Sequence, residues 1–544
     1  MRFEKLVNII CALVGLFQAT MSLGQPSAKV DTFFCTHQVV LDNSAKLLPW
    51  FYPREKAFDQ FLRIRWDFIK TKVSNSPGSV PRSNYPQYYF YASFEMKDGK
   101  MKIKDWMNDV AEKVPNWFEN ARLYYAYTGD SSVMKIVKDL IDYSLDHGTS
   151  PSTFAWPNFP YTTTNPGDIE FRGFSKQGKL VLHEIQVDHA GDMGLAYYRM
   201  YLYSGEKKYL TAALHVANVL TANARVGTAD KSVWPYRVII DSEKITAEYG
   251  ANWTGCYMLL DNLVKANIGN VASYKEALIK VKNFILQFPM KTGYWTDGHS
   301  DTDVNSNTYK SNMSASNTTL CLFDYPELDP NWKVDIPKLI KWTEDYFVSR
   351  SAQGEPSTMW GANIVGEQDS FMYKMDYQTA RYAAVCARWY AVSGDESYKG
   401  KTYRSLNWVT YTNDSTGMAF ESPVSKGIST WWSDCYGECP RMFYQAFAGV
   451  PEFAPPHENH ILYSDGILKN ISYAKGMVSY FASSANDKEY LRLAFKPKMV
   501  KLNGKEIWDD NSLASDTYMV KNLDGGDYSV IITRLEKGEV IIVE

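Results

Sequence analysis

The densest run of ionisable side chains in the 544-residue sequence is His183-Glu-Ile-Gln-Val-Asp188-His189-Ala-Gly-Asp192-Met-Gly194. Read as a helix, it sets Glu184, Asp188 and Asp192 at i, i+4 and i+8 on one face. Three carboxylates that close repel one another, which raises at least one pKa unless a cation or a metal compensates. General acid–base chemistry needs such a group. The competing reading is an acidic helix start stabilised by the macrodipole, with Asp192 as a buried cap. A second cluster, Trp234-Pro-Tyr-Arg237 followed by Glu248-Tyr249-Gly-Ala-Asn252-Trp253, offers two indoles and a guanidinium. The indoles suit stacking on sugar rings or simple loop packing, and Arg237 suits a bidentate grip on a carboxylate. A third stretch carries Trp360, Glu367, Asp369 and Asp376, and a fourth is Trp431-Trp-Ser-Asp434-Cys-Tyr436-Gly-Glu438, running into Arg441.

Three chemistries fit these groups. Paired carboxylates flanking a bond are the requirement of glycoside hydrolysis. Tyr249 or His189, with Arg237 or Asn252 to neutralise a carboxylate, suits β-elimination by a polysaccharide lyase. Aromatic residues alone fit a non-catalytic glycan-binding protein, although packed like charges add little to binding. The sequence lacks G-x-S-x-G, Walker A and G-x-G-x-x-G motifs, which removes serine-hydrolase, nucleotide and dinucleotide readings. No Cys/His spacing completes a zinc set. The loop from Thr296 to Asn307 alternates Asp297, His299, Asp301, Asp303 and Asn305 as a calcium loop does, but Ser306 stands where an EF-hand needs glycine. No cofactor is therefore expected, apart from a structural calcium if that loop holds one.

Each cluster precedes an apolar helix, so the elements that position them come next. ARLYYAYTGDSSVMKIVKDLIDYSL (from Ala121), GLAYYRMYLYSGEKKYLTAALHVANVL (from Gly194) and ARYAAVCARWYAVSGDESYKGKTYRSLNW (from Ala380) share one plan. An aromatic-rich helix ends at Thr/Ser-Gly-Asp/Glu and an amphipathic helix follows. Gly129, Gly205 and Gly394 suit the left-handed position that stops a helix, and the acid after each suits the next start. A looser copy spans Gly255 to Phe288 and turns near Gly269-Asn270. The first helix of each pair is apolar nearly all round and reads as buried, the second as an outer layer. Recurrence at this spacing predicts a toroid of helical hairpins whose mouth is acidic and aromatic.

After the Pro-rich run Val450–Pro456 the period changes. Glu489-Tyr-Leu-Arg-Leu-Ala-Phe495 alternates, and Asn503-Gly504 and Asp524-Gly525 are hairpin turns. Residues 457–544 are expected to form a small antiparallel sandwich-like domain. At the other end, Arg2 and Lys5, the apolar Leu6–Phe17 and the small residues before Gln25 read as a signal peptide over 1–24, which implies an exported, periplasmic or extracellular protein. Net charge is −3 and no Lys/Arg run occurs, so nucleic acid is not an expected partner, and no apolar stretch suggests membrane insertion. Hydrophobic residues make up 45% and aromatic residues 15%, enough to exclude disorder. The cysteines beyond the signal segment read as buried thiols rather than a disulfide framework.

With its Tyr/Trp-x-x-Ser/Thr-Gly-Asp/Glu turns, the Asp188-His189-x-Gly-Asp192-Met-Gly stretch and the Ser-Asp434-x-Tyr436-Gly run ahead of a β appendix, residues 30–455 resemble the exported six-hairpin carbohydrate enzymes of gut Bacteroidetes. Nearest are the glycoside hydrolase family 154 β-glucuronidases, with unsaturated glucuronyl hydrolases more distant. The resemblance implies an (α/α)6 toroid over 25–456 that acts on uronic-acid-bearing saccharides through carboxylates at the ring's mouth. On that footing Asp188 is the expected general acid or base, with Asp369 or Asp434 as partner. Arg237 is expected to bind the uronate and Trp234 and Trp253 to form the platform. Glu184, Asp192, Glu248, Asn252, Trp360, Glu367 and Tyr436 are the further expected substrate contacts.

Overall fold

The computed structural model describes residues 34, 36–73, 89, 93–97, 100–103, 109–176, 180–296, 310–348, 360–369, 374–423 and 431–544. The expected signal segment and most of the calcium-like loop lie outside the described residues. Twelve principal helices among the described residues form two concentric layers: α1 (Ala57–Phe68), α2 (Val110–Thr128), α3 (Ser132–His147), α4 (Val187–Ser204), α5 (Lys207–Ala222), α6 (Thr254–Lys265), α7 (Val271–Gln287), α8 (Asn312–Asp324), α9 (Trp332–Thr343), α10 (Asp376–Ser393), α11 (Glu396–Val409) and α12 (Cys439–Gly449). The even-numbered helices pack side by side, and α12 closes the ring against α2. Helices α3, α5, α7, α9 and α11 each fold back outside the helix before them. The sixth outer position belongs to α1, whose Phe61 stacks on Phe443 of α12 at 4.6 Å. The fold is the (α/α) toroid expected from the repeats.

The hairpin turns follow from three glycines. Gly129, Gly205 and Gly394 have φ of 79°, 77° and 70°, and their N–H groups bond the carbonyls of Tyr125, Tyr201 and Tyr390 at 2.8 Å. That left-handed residue stops each inner helix and turns the chain outward. The pair α8/α9 lacks this signal and turns through Pro326–Leu328 instead. Helices α4 and α6 approach closely at their first turns, where a Cβ on Gly191 would fall 2.3 Å from Cys256 Sγ and one on Gly255 would fall 1.9 Å from Asp192 Oδ1.

The excursion before α4 ends in β1 (Glu184–Gln186), which pairs antiparallel with β2 (Arg237–Ile239), itself paired with β3 (Lys244–Ala247). Glu184 is therefore on a strand, and the expected helical face of three carboxylates shrinks to Asp188 and Asp192. The C-terminal domain has nine strands: β4 (His460–Ser464), β5 (Leu468–Ala474), β6 (Met477–Ala482), β7 (Lys488–Leu493), β8 (Met499–Leu502), β9 (Lys505–Asp509), β10 (Thr517–Asn522), β11 (Tyr528–Thr533) and β12 (Gly538–Val543). Their order is β5-β6-β12-β8-β9-β10-β11-β7-β4. Its two halves share one core, with Val478, Val500 and Val540 from one and Leu491, Val530 and Ile532 from the other. One pair departs from the antiparallel expectation: β9 and β10 run parallel, joining the halves edge to edge.

This domain seals the end of the ring where the inner helices finish. The Tyr127 carbonyl lies 2.8 Å from His460 Nδ1, Arg122 donates to the Ser464 carbonyl at 2.8 Å, and Arg199 pairs with Asp465 at 2.8 Å. The five described cysteines are buried and unbridged. No described helix is long and apolar enough to cross a membrane.

Candidate active site

The end of the ring away from the β domain is built from the first turns of the inner helices. These bring Glu112 and Lys113 (α2), Asp188, His189 and Asp192 (α4), and Gln378 and Arg381 (α10) toward Asp434 and Glu438, which precede α12, and Arg441 on it. Exposed N–H groups and the helix dipole favour anions at these starts. The acids are nonetheless matched by buried cations. Lys113 Nζ holds both oxygens of Asp434 at 2.7 Å and lies 3.2 Å from Glu112. Arg381 donates to Gln378 at 2.5 Å and pairs with Glu438, and Arg441 donates to the same Glu438 oxygen at 3.1 Å.

Burial sets the protonation of the group. It pushes the Asp434 carboxyl up to about 6 against the pull of Lys113, with Glu112 and Asp109 adding to the rise. It pushes Asp192 up to about 7, opposed by His189 and helped by Asp188. His189 goes the other way: burial works against its charge, yet Asp188, Glu112, Asp109 and Asp192 carry the imidazole up to about 9. Burial and the neighbouring Arg441 push Arg381 down to about 10. Several buried donors have no acceptor among the described residues: Nε of Arg381, Nε of Arg441, and Nε and Nη2 of Arg237. Below the cluster a cavity of about 130 Å³ runs along the ring axis, with Asp192, Thr254 and Arg441 near its top and Asp324 and Asp465 at its floor.

Among the expected site residues, Asp188, His189, Asp192 and Asp434 thus meet in one electrostatic group, and Glu367 joins it beside Arg381 and 3.4 Å from the Tyr377 hydroxyl. Arg237 is buried on β2 opposite Gln186. The other expected residues make contacts within the protein. Trp234 and Trp253 are fully buried, lie 5.4 Å apart and donate to the carbonyls of Leu220 and Gly250 at 2.7 Å, so they pack the core rather than form a platform. Tyr249 is buried and donates to the Tyr294 carbonyl at 3.1 Å, and burial raises its pKa, which disqualifies it as a base. Glu184 accepts from Thr246 and from the Val181 N–H at 2.9 Å. Glu248 pairs with Arg225, and Asp369 is held by Lys310 through its backbone N–H at 2.9 Å and its Nζ at 3.4 Å. The Tyr436 hydroxyl bridges Ala419 and Gly417, and Trp360 packs on Phe34 at 5.4 Å. Asn252 is buried and accepts from Thr254 at 3.2 Å. Among the described residues this end carries acids paired with Lys113, Arg381 and Arg441.

Sequence reading passes over Asp109, Glu112, Lys113 and Arg381. The same signal, polar residues entering an apolar inner helix, marks them, but α2 begins eleven residues before the recognisable aromatic run at Ala121. Arg381 is hidden inside such a run.

No protein-family model matches this sequence, and no curated protein sequence matches it either. Solved structures do share its fold. A D-mannose isomerase superposes with a TM-score of 0.52 at 11% identity, over 73% of this chain and 98% of the isomerase. Cellobiose 2-epimerase from Bacillus thermoamylovorans B4167 superposes with a TM-score of 0.50 at 10% identity, over 71% of this chain and 97% of the epimerase. At such identities the likeness extends to the ring of helical hairpins, an architecture that in both structures belongs to a sugar-converting enzyme.

Proposed function

We propose that this chain is an exported glycoside hydrolase that cleaves a uronate-bearing saccharide at the end of its helical ring away from the β domain. One arrangement carries the reading: carboxyls whose burial raises their pKa share one group with buried guanidinium N–H groups that have no acceptor among the described residues. The first feature supplies a proton to a leaving glycosidic oxygen. The second awaits an anion, because an unpaired buried donor costs about 1–3 kcal/mol and more when charged. Asp434 is the proton donor in this scheme, with Asp188 as the carboxylate on the other face of the sugar, acting on water or directly on the anomeric carbon. Arg381 and Arg441 hold the uronate, with Arg237 as a further carboxylate contact. The resemblance to family 154 β-glucuronidases of Bacteroidetes supports a glucuronate as the sugar, and the signal-like segment over 1–24 supports export.

Two rival chemistries need a base that takes a proton from carbon. Elimination loses Tyr249, which is buried and already donating. The fold shared with an isomerase and an epimerase favours a second reading, sugar isomerisation with His189 as base, and His189 Nδ1 has no described hydrogen-bond partner. An imidazole raised to about 9 is protonated at neutral pH, however, and is an acid there. Hydrolysis therefore accounts better for the charges. Replacing Asp188 or Asp434 by Asn is expected to lower kcat on a uronate disaccharide by roughly 10²- to 10⁴-fold. Retention of full activity by both variants overturns the assignment.

A further inference from the structure

A larger cavity lies at the opposite end of the ring. It measures about 340 Å³ and sits between the last turns of α4, α6 and α8 and the β-domain loop 483–488. Pockets that hold small ligands start at about this size. Asp324 and Asp465 line both this groove and the axial cavity, so they form the wall between them.

The chemistry of the lining is specific. Tyr201, Phe323 and Tyr325 supply aromatic surface from the ring, and Lys488 and Lys537 reach in from the β domain. The acids nearby are already occupied. Asp465 accepts from Arg199 at 2.8 Å and from the Tyr325 hydroxyl at 2.7 Å, Asp324 accepts from Arg388 at 2.7 Å, and Asp487 lies 3.4 Å from Arg534. Lys265 is likewise held by Asp261 at 2.7 Å and Glu327 at 3.0 Å. Lys488 and Lys537 make no ion pair among the described residues, so their ammonium groups have no fixed partner at the rim. Ser483, only 9% exposed, also lines the groove, and its hydroxyl has no hydrogen-bond partner among the described residues. A buried hydroxyl left unpaired beside an open volume is a site for a polar ligand atom.

We infer that this groove is a second saccharide site, which holds an acidic stretch of a glycan remote from the reacting sugar. Aromatic faces take the apolar side of a sugar ring, Ser483 takes a hydroxyl, and the two lysines take carboxylate or sulfate groups. The inference rests on the reading that the substrate is an acidic glycan, and it adds a device for retaining long chains.

Binding to the full chain carrying Asp188→Asn tests it, with hexagalacturonate and a heparin-derived hexasaccharide as acidic probes and cellohexaose as the neutral control. The expected result is two sites per chain for an acidic probe. One of them weakens on the order of tenfold in Lys488→Ser/Lys537→Ser and in Tyr201→Ala. In the otherwise native chain those substitutions raise KM on long acidic glycans and leave turnover of a disaccharide unchanged. A single site that survives both substitutions overturns the groove and leaves the hydrolase reading standing. A single site abolished by them upholds the groove and counts against the ring mouth. Equal binding of cellohexaose, or no binding of either acidic probe, overturns the inference.

Discussion

Asp434 sits between opposing influences: burial and the carboxylates of Glu112 and Asp109 hold its proton on, while Lys113 at 2.7 Å pulls it off. If Asp434 donates the proton, only its protonated form is active, so kcat/KM falls as pH rises through about 6. Lys113→Met removes the cation that most favours the ionised form, so the alkaline limb of the pH–rate profile moves upward. An unmoved limb assigns the proton to another group. Arg381→Gln should weaken a uronate substrate by about 1.5–3 kcal/mol, the usual worth of a charged hydrogen bond, and leave the matching neutral glycoside nearly unaffected. Equal losses on both substrates remove Arg381 from uronate recognition. Trp234 belongs to a different class. Its indole is fully buried, so Trp234→Ala should cost roughly 3–5 kcal/mol in a denaturation experiment, while the folded protein keeps its KM. At this scale the sequence reveals which residue types cluster but not which side they face. Trp234 and Tyr249 look like ligand contacts because they flank Arg237, and only the packing of the loop on α5 and the 288–294 segment shows them committed inward.

The hairpins carry most of what was legible beforehand. Gly129, Gly205 and Gly394 announce their turns because a left-handed residue that stops a helix has few alternatives to glycine. The space around the Gly205 Cβ position is empty, so a methyl group there meets no neighbour and only the backbone conformation resists it. Gly205→Ala should therefore cost about 1–2 kcal/mol, visible as a lower Tm. A Tm equal to that of the parent chain contradicts the left-handed cap. Elements with other punctuation stayed hidden. The α8/α9 turn uses proline, α1 and α12 pair from opposite ends of the ring's sequence, and β1 looks helical because Glu184, Asp188 and Asp192 share a spacing of four. The parallel pairing of β9 with β10 escapes as well, since local alternation fixes strand identity but not the direction of a partner.

Across the whole molecule, charge ties the ring to the sheet. Arg199 on α4 reaches Glu119 on α2 at 2.7 Å and Asp465 beyond β4 at 2.8 Å, and with Arg122 it holds Glu119 down to about 2 although burial opposes this. Arg199→Met leaves two partly buried acids short of a cation and should cost about 1–3 kcal/mol. Tryptophan fluorescence, which reports chiefly the ring since Trp508 alone of the 16 tryptophans lies in the β domain, and far-ultraviolet dichroism should then show one joint transition at lower denaturant rather than two separated ones. At the opposite end the first turns of the inner helices gather the carboxyls, and the guanidinium N–H groups with no acceptor among the described residues, on which the proposed activity depends. The most direct test follows each reaction on a panel of uronate-bearing oligosaccharides by two signals, new reducing ends and the ultraviolet absorbance of an unsaturated uronate. New reducing ends without absorbance, abolished in Asp434→Asn, are the predicted result. Absorbance rising together with reducing ends, or sugar isomers formed without any cleavage, would contradict hydrolysis at the ring's mouth.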